Sequence, residues 1–168
     1  IGSTGLIGSE LVQQLLGNPN YSTVLLLNRR ASGLTHSKLA ERIINFDAPD
    51  LSGVNGEDLF CAIGTTIRKA GSKEAQLKID CQYPSTLAAL LKLQGLKQVV
   101  LVSSIGADET ASNFYLKTKG QLEKNIRDLD FESTIILRPS ILLGKRKEFR
   151  LGEKIAIVLM QLLSPTLC

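Results

Sequence analysis

Short apolar runs alternate with helix-patterned stretches along nearly all of this 168-residue chain. That alternation limits its fold more than any other feature. Residues 24–27, 59–63, 98–102 and 134–137 are almost continuously apolar, the mark of strands covered on both faces; residues 42–46 read as a short strand. Between them, residues 8–16, 79–94 and 113–128 carry apolar side chains at helical spacing. Pro84 is tolerated near the start of the second helix, and residues 153–163 repeat the helical pattern. Strands and helices in strict alternation fold as α/β, a doubly wound parallel sheet with helices on both faces. The expectation is one domain over residues 1–168.

In such sheets ligands bind beyond the carboxyl ends of the strands, and the polar motifs all fall there. Gly2, Ser3, Thr4, Gly5, Leu6, Ile7 and Gly8 form a glycine-rich loop running straight into the first helix. Glycines let a backbone approach a pyrophosphate closely, and a helix N-terminus offers free N–H donors and positive potential. The loop therefore predicts a dinucleotide site in a Rossmann-type domain. About twenty residues on, where an acidic side chain would hold the ribose hydroxyls of a cofactor without a 2′-phosphate, stand Asn28, Arg29 and Arg30. Guanidinium groups pair well with phosphate, so the cofactor expected is NADP(H). Asp47 is placed for the adenine amino group. Gly64, Thr65 and Thr66 close the fourth strand, where small residues let a cofactor pass and hydroxyls can bond it. A loop of this kind ordinarily follows a buried strand, yet only Ile1 precedes Gly2, so the first strand and a C-terminal segment are both expected to be missing.

Tyr115 and Lys119 lie four residues apart on the helix over residues 113–128, so they share a face. An ammonium beside a phenol favours the phenolate, and the pair reads as a general acid/base. Ser104, eleven residues before Tyr115 at the end of the fifth strand, is expected to bond a substrate carbonyl. Ser103 is the alternative, because neighbouring strand residues face opposite ways.

Taken together, these residues resemble the short-chain dehydrogenase/reductase superfamily, and more narrowly its atypical branch of Tat-interacting-protein-like oxidoreductases with their bacterial relatives. The likeness runs through nearly the whole chain and is most specific over residues 60–71, 102–107, 112–120 and 137–143. It implies a Rossmann fold binding NADP(H), with Tyr115 as proton donor/acceptor. It gives Lys119 the nicotinamide ribose and Ser104 the polarised carbonyl. It places Arg138, Pro139, Ser140 and Leu142 in the loop near the nicotinamide amide. The Ser-to-Tyr interval is short for the branch with well-defined catalysis, which opens a second reading: an NADP(H)-binding regulatory or scaffold protein. Nucleotide-sugar epimerases and dehydratases use the same Tyr/Lys pair with a larger C-terminal substrate domain than this chain holds.

Composition narrows the classes further. With 43% hydrophobic and 21% charged residues and a net charge of +4, the chain reads as an ordinary globular domain. Few aromatics and no recurrent basic stripe argue against a nucleic-acid surface. The densest basic stretch, Lys145, Arg146 and Lys147, reads as a solvated loop. Cys61, Cys81 and Cys168 form neither a CxxC pair nor a zinc spacing, so no metal is expected, and the lone His36 reads as a surface residue. Unpaired cysteines suit a reducing compartment, taken here as the cytoplasm. The longest apolar run is too short to span a bilayer. The expected partner is a small-molecule substrate, and the assembly a monomer or homodimer.

Overall fold

The computed structural model describes residues 1–140. The reading of residues 153–163 as a helix, the basic stretch at 145–147, Leu142 and Cys168 lie outside them. Helix α1 (Leu6–Gly17) is followed by strands β1 (Val24–Asn28), β2 (Leu39–Ile43) and β3 (Asp58–Cys61). Two short helices, α2 (Ile67–Ala70) and α3 (Lys73–Leu77), lead through a π-helical turn (Lys78–Gln82) into α4 (Tyr83–Leu93). Strand β4 (Gln98–Val102), helix α5 (Phe114–Asp128) and strand β5 (Ser133–Leu137) complete the described fold.

Every strand pairing among the described residues is parallel. β1 pairs with β2, and β3, β4 and β5 form a second ladder in that order. A slot of about 940 Å³ separates the two ladders, lined by residues of β1 on one side and β3 on the other. Ile1 lies at its head in strand fashion, its nitrogen donating to Phe60 O at 2.8 Å and its carbonyl accepting from Ala62 N at 3.0 Å. In the doubly wound order 3-2-1-4-5-6 such a slot corresponds to the position of the central strand.

Alternation along β1 explains why both faces are covered. Val24 and Leu26 pack under α1 with Val12, Leu15 and Leu16, while Leu25 and Leu27 join Leu59, Leu87, Leu91 and Val99 beneath α4, as a period of two requires. On α4 the buried positions Pro84, Leu87, Ala88 and Leu91 fall on one stripe. α5 buries Leu122 and Ile126, but also Thr118, Lys119 and Glu123.

Two elements depart from the sequence reading. The strand expected at residues 42–46 begins at Leu39, with only two of its five positions partly buried; it is the edge of its ladder, so hydrophobicity marks it poorly. The helix expected from residue 79 begins instead at Lys73 and is interrupted by the π-helical turn, whose extra residue blurs the 3.6-residue period.

Gly120 shows how tightly α5 is docked. A Cβ there would lie 2.1 Å from the Asp108 carbonyl carbon and 2.2 Å from Glu109 N, and backbone cannot yield cheaply. Gly120→Ala should therefore lose about 1–3 kcal/mol of stability through overpacking, read from urea unfolding with an unchanged m value. A variant as stable as the parent would show that this contact is loose.

Candidate functional site

The glycine loop is built by close approach. Gly2 has φ +84°, and a Cβ there would lie 2.5 Å from Ala62 C and Ile63 N. At Gly8 a Cβ would meet Gly2 O at 2.0 Å. The first turn of α1 is thus pressed onto the loop, and the loop onto the end of β3. Gly5 is the N-cap and has no side-chain cap hydrogen bond, and the first turn carries no acid. The first intrahelical bond is Ser9 N to Gly5 O, so the N–H groups of Leu6, Ile7 and Gly8 have no capping side chain. This geometry suits a pyrophosphate. Ser3 is turned inward instead. It is buried, and its hydroxyl donates to Asn28 Oδ1 at 2.7 Å. Thr4 is exposed.

Asn28 passes that tie onward by donating through Nδ2 to Glu41 Oε1 at 2.7 Å; Glu41 also accepts from Ser32 N. The Asn28 bond holds the Glu41 carboxyl below its usual range. A carboxylate therefore does stand beside the end of β1, supplied by the neighbouring strand, where no fixed spacing in the sequence could reveal it. Arg29 and Arg30 are both exposed.

Asp47, expected at adenine, is bonded within the protein. It accepts from Tyr83 Oη at 2.7 Å and pairs with Lys78 Nζ at 2.6 Å, and these bonds, Lys78 first, hold its carboxyl below the usual range. They tie the segment after β2 to the π-helical turn and α4.

The turn after β3 meets the glycine loop and α5. Lys119 is only 3% exposed, its Nζ donates to Ile63 O at 3.5 Å, and a Cβ at Gly64 would be 3.8 Å from that Nζ. Thr66 caps α2 by accepting from Lys69 N, so its hydroxyl is already engaged. Thr65 is held through its main chain by Gln76 and the wholly buried Asp80; the sequence reading singled out neither. Tyr115, on the first turn of α5, is 38% exposed.

Of the two serines, Ser103 is buried with its hydroxyl beside the Glu123 carboxylate, short of an aligned hydrogen bond. Ser104 is half-buried, and its hydroxyl makes only a 3.3 Å bond to Ile105 O. Ser104 is the more accessible of the two hydroxyls.

Arg138, expected at the nicotinamide, is a clamp. Its guanidinium grips the 1%-exposed Glu123 carboxylate through Nε at 2.8 Å and Nη2 at 2.5 Å, and Arg127 adds a bond at 2.9 Å. What this segment presents is backbone: Pro139 O accepts from Ile105 N at 3.0 Å, and Ser140 is exposed.

A parallel α/β sheet with a glycine-rich loop and an uncapped helix N-terminus at its carboxyl edge defines a dinucleotide-binding protein of the Rossmann type. The chain belongs to the NAD(P)H-binding family, whose model matches residues 2–156. It is similar to the mitochondrial protein FMP52 of Candida albicans, 38% identical over 93% of this chain and 72% of that one. It is also similar to the HTATIP2 protein of Rattus norvegicus, 34% identical over 93% of this chain and 66% of that one. The chain thus spans about two thirds of the rat relative. Among solved structures, WbmH of Bordetella bronchiseptica in complex with NAD+ aligns with 98% of this chain and 61% of its own at TM-score 0.72 and 14% identity. A UDP-galactose 4-epimerase aligns with 95% and 61% at TM-score 0.71 and 16% identity. At these identities the structures bear out the fold alone. The resemblance to atypical short-chain dehydrogenase/reductases holds, but the cytoplasmic expectation does not, because several FMP52 relatives are named mitochondrial. Unpaired cysteines indicate reducing conditions without distinguishing one reducing compartment from another.

The Glu123 clamp gives a pH-dependent prediction. Burial is the largest single influence and would raise its carboxyl pKa, but the bonds and charge of Arg138 together with Ser103 and Arg127 outweigh it, and the net shift is downward from 4.5. A lowered pKa contributes stability above the unfolded value, and that contribution is lost as pH falls through the folded one. Glu123→Gln should cost about 2 kcal/mol at neutral pH, and the difference from the parent should shrink below pH 4.5. Urea titrations across that range check it; a pH-independent difference would contradict it.

Proposed function

We propose that the chain is the cofactor-binding and catalytic part of an NADP(H)-dependent oxidoreductase that interconverts a carbonyl and an alcohol. The observation carrying this reading is Lys119: an ammonium buried to 3% exposure against the turn after β3, one helical turn below the accessible Tyr115. Burying an ammonium is costly, and placing it between a phenol and the expected cofactor path gives that cost a use.

The pyrophosphate would lie on the N–H groups of Leu6, Ile7 and Gly8, with Gly5 leaving room for it. Arg29 and Arg30 would face the 2′-phosphate, although Glu41 is a charge that opposes this choice. When bound in reduced form, the cofactor supplies the hydride. Tyr115 would donate its phenolic proton to the carbonyl oxygen in reduction and take it back in oxidation. Lys119 would stabilise the phenolate and hold the nicotinamide ribose, and the Ser104 hydroxyl would donate to the same carbonyl oxygen. Cofactor binding with little turnover is the second reading, favoured by the short interval between Ser104 and Tyr115.

Tyr115→Phe should bind NADPH within about threefold of the parent and lose reductase activity by a factor of about 100 or more, since general acid–base catalysis is worth that much. Surviving activity on a carbonyl substrate of the parent would remove Tyr115 from the mechanism. If the parent reduces no member of a broad carbonyl panel yet binds NADPH, the regulatory reading stands.

Cofactor choice is tested separately by fluorescence titration with NADPH and NADH. The parent should prefer NADPH, and Arg29→Ala/Arg30→Ala should erase about tenfold or more of that preference. Equal affinities in the parent would show that Glu41, not the arginines, governs the ribose end.

A further inference from the structure

Arg29 and Arg30 stand on an exposed bend, residues 29–31, and both ends of that bend close on one carboxylate. At its head Asn28, the last residue of β1, donates through Nδ2 to Glu41 Oε1 at 2.7 Å. At its foot the Ser32 N–H reaches Glu41 Oε1 at 2.9 Å and Oε2 at 3.2 Å. Glu41 comes from the neighbouring strand, and the register explains how it arrives there. It pairs with Leu26, and Asn28 lies two residues beyond Leu26. All three therefore point to the face that Leu26 packs under α1.

Ser3 completes the set, its buried hydroxyl donating to Asn28 Oδ1 at 2.7 Å. A carboxylate only accepts, so the Asn28 amide has one workable orientation, Nδ2 toward Glu41 and Oδ1 toward Ser3. One chain of hydrogen bonds thus joins the glycine loop, the end of β1 and the foot of the arginine bend. The donors, Asn28 first, hold the Glu41 carboxyl below its usual range, and hydrogen bonds to an ionised acceptor are the stronger kind. An exposed bend otherwise samples many conformations, and a ligand that needs two guanidinium groups in place must order them on binding. The bonds to Glu41 supply that order beforehand.

We propose that Glu41 is a positioning residue for the 2′-phosphate of the cofactor: it braces residues 29–31 so that Arg29 and Arg30 are set in place to receive that group. This rests on the reading of the two arginines as the phosphate contacts. Glu41 itself does not touch the cofactor, because its oxygens are committed to Asn28 and Ser32. Its charge opposes a phosphate nearby, and the brace offsets that opposition. NADH lacks the phosphate, so the brace acts on NADPH alone.

Fluorescence titration with both cofactors tests it. Glu41→Ala removes the brace and should weaken NADPH binding about tenfold, with NADH changed by no more than about threefold. Glu41→Gln keeps an Oε1 acceptor for both Asn28 and Ser32, and should hold NADPH within about threefold of the parent. Equal losses of both cofactors in Glu41→Ala would mean a general structural role. Tighter NADPH binding in both variants would mean that Glu41 acts only by repulsion. Either result overturns the proposal. Without any cofactor, the Ser32 amide should exchange with solvent about tenfold more slowly in the parent than in Glu41→Ala; equal rates would refute the brace. If the parent binds neither cofactor, or both equally, the arginine reading fails, while the Ser32 exchange still decides whether Glu41 braces the bend.

Discussion

The contact between the glycine loop and the end of β3 is the constraint on which the rest depends. A side chain at Gly2 would run into Ala62 and Ile63, and one at Gly8 into Gly2 itself. Only glycine permits the first turn of α1 to point its unpaired N–H groups across the carboxyl edge of the sheet beside the turn that receives Lys119. Helix dipole, free donors and buried ammonium then act on one region. Each is modest alone, and together they suit an extended, anionic dinucleotide.

Polar ties, each with at least one buried member, rivet the loops around that edge. Ser3, Asn28 and Glu41 connect the glycine loop to β1 and β2. Asp80 and Gln76 hold Thr65. Glu123 and Arg138 hold the segment after β5 to α5. Each rivet consumes a side chain that could otherwise meet a ligand. Among the groups still accessible are the α1 donors, the two exposed arginines, Ser104 and Tyr115.

The α/β alternation was legible because strands buried on both faces must be apolar, and β4 fell on residues 98–102 as read. The glycine loop was legible because its steric demand excludes other residues. The register of β2 was hidden because an edge strand tolerates Ala40 and Glu41 in the open. The π-helical turn was hidden because it breaks the period by which helices are recognised. Asp47 and Arg138 were placed rightly at the carboxyl edge, but their partners, Lys78, Tyr83 and Glu123, come from distant segments, and no local pattern announces such a pairing. The difference in burial between Ser103 and Ser104 depends on the packing of α5, which places Glu123 beside Ser103.

The central claim is that a nicotinamide dinucleotide lies across the glycine loop and the turn after β3. Amide hydrogen exchange with and without NADPH tests it most directly. The account predicts slowed exchange in residues 2–9 and 64–66, with residues 18–23 and 129–132 unchanged. No change in the first two segments at saturating NADPH, or protection confined to other parts of the chain, would contradict it.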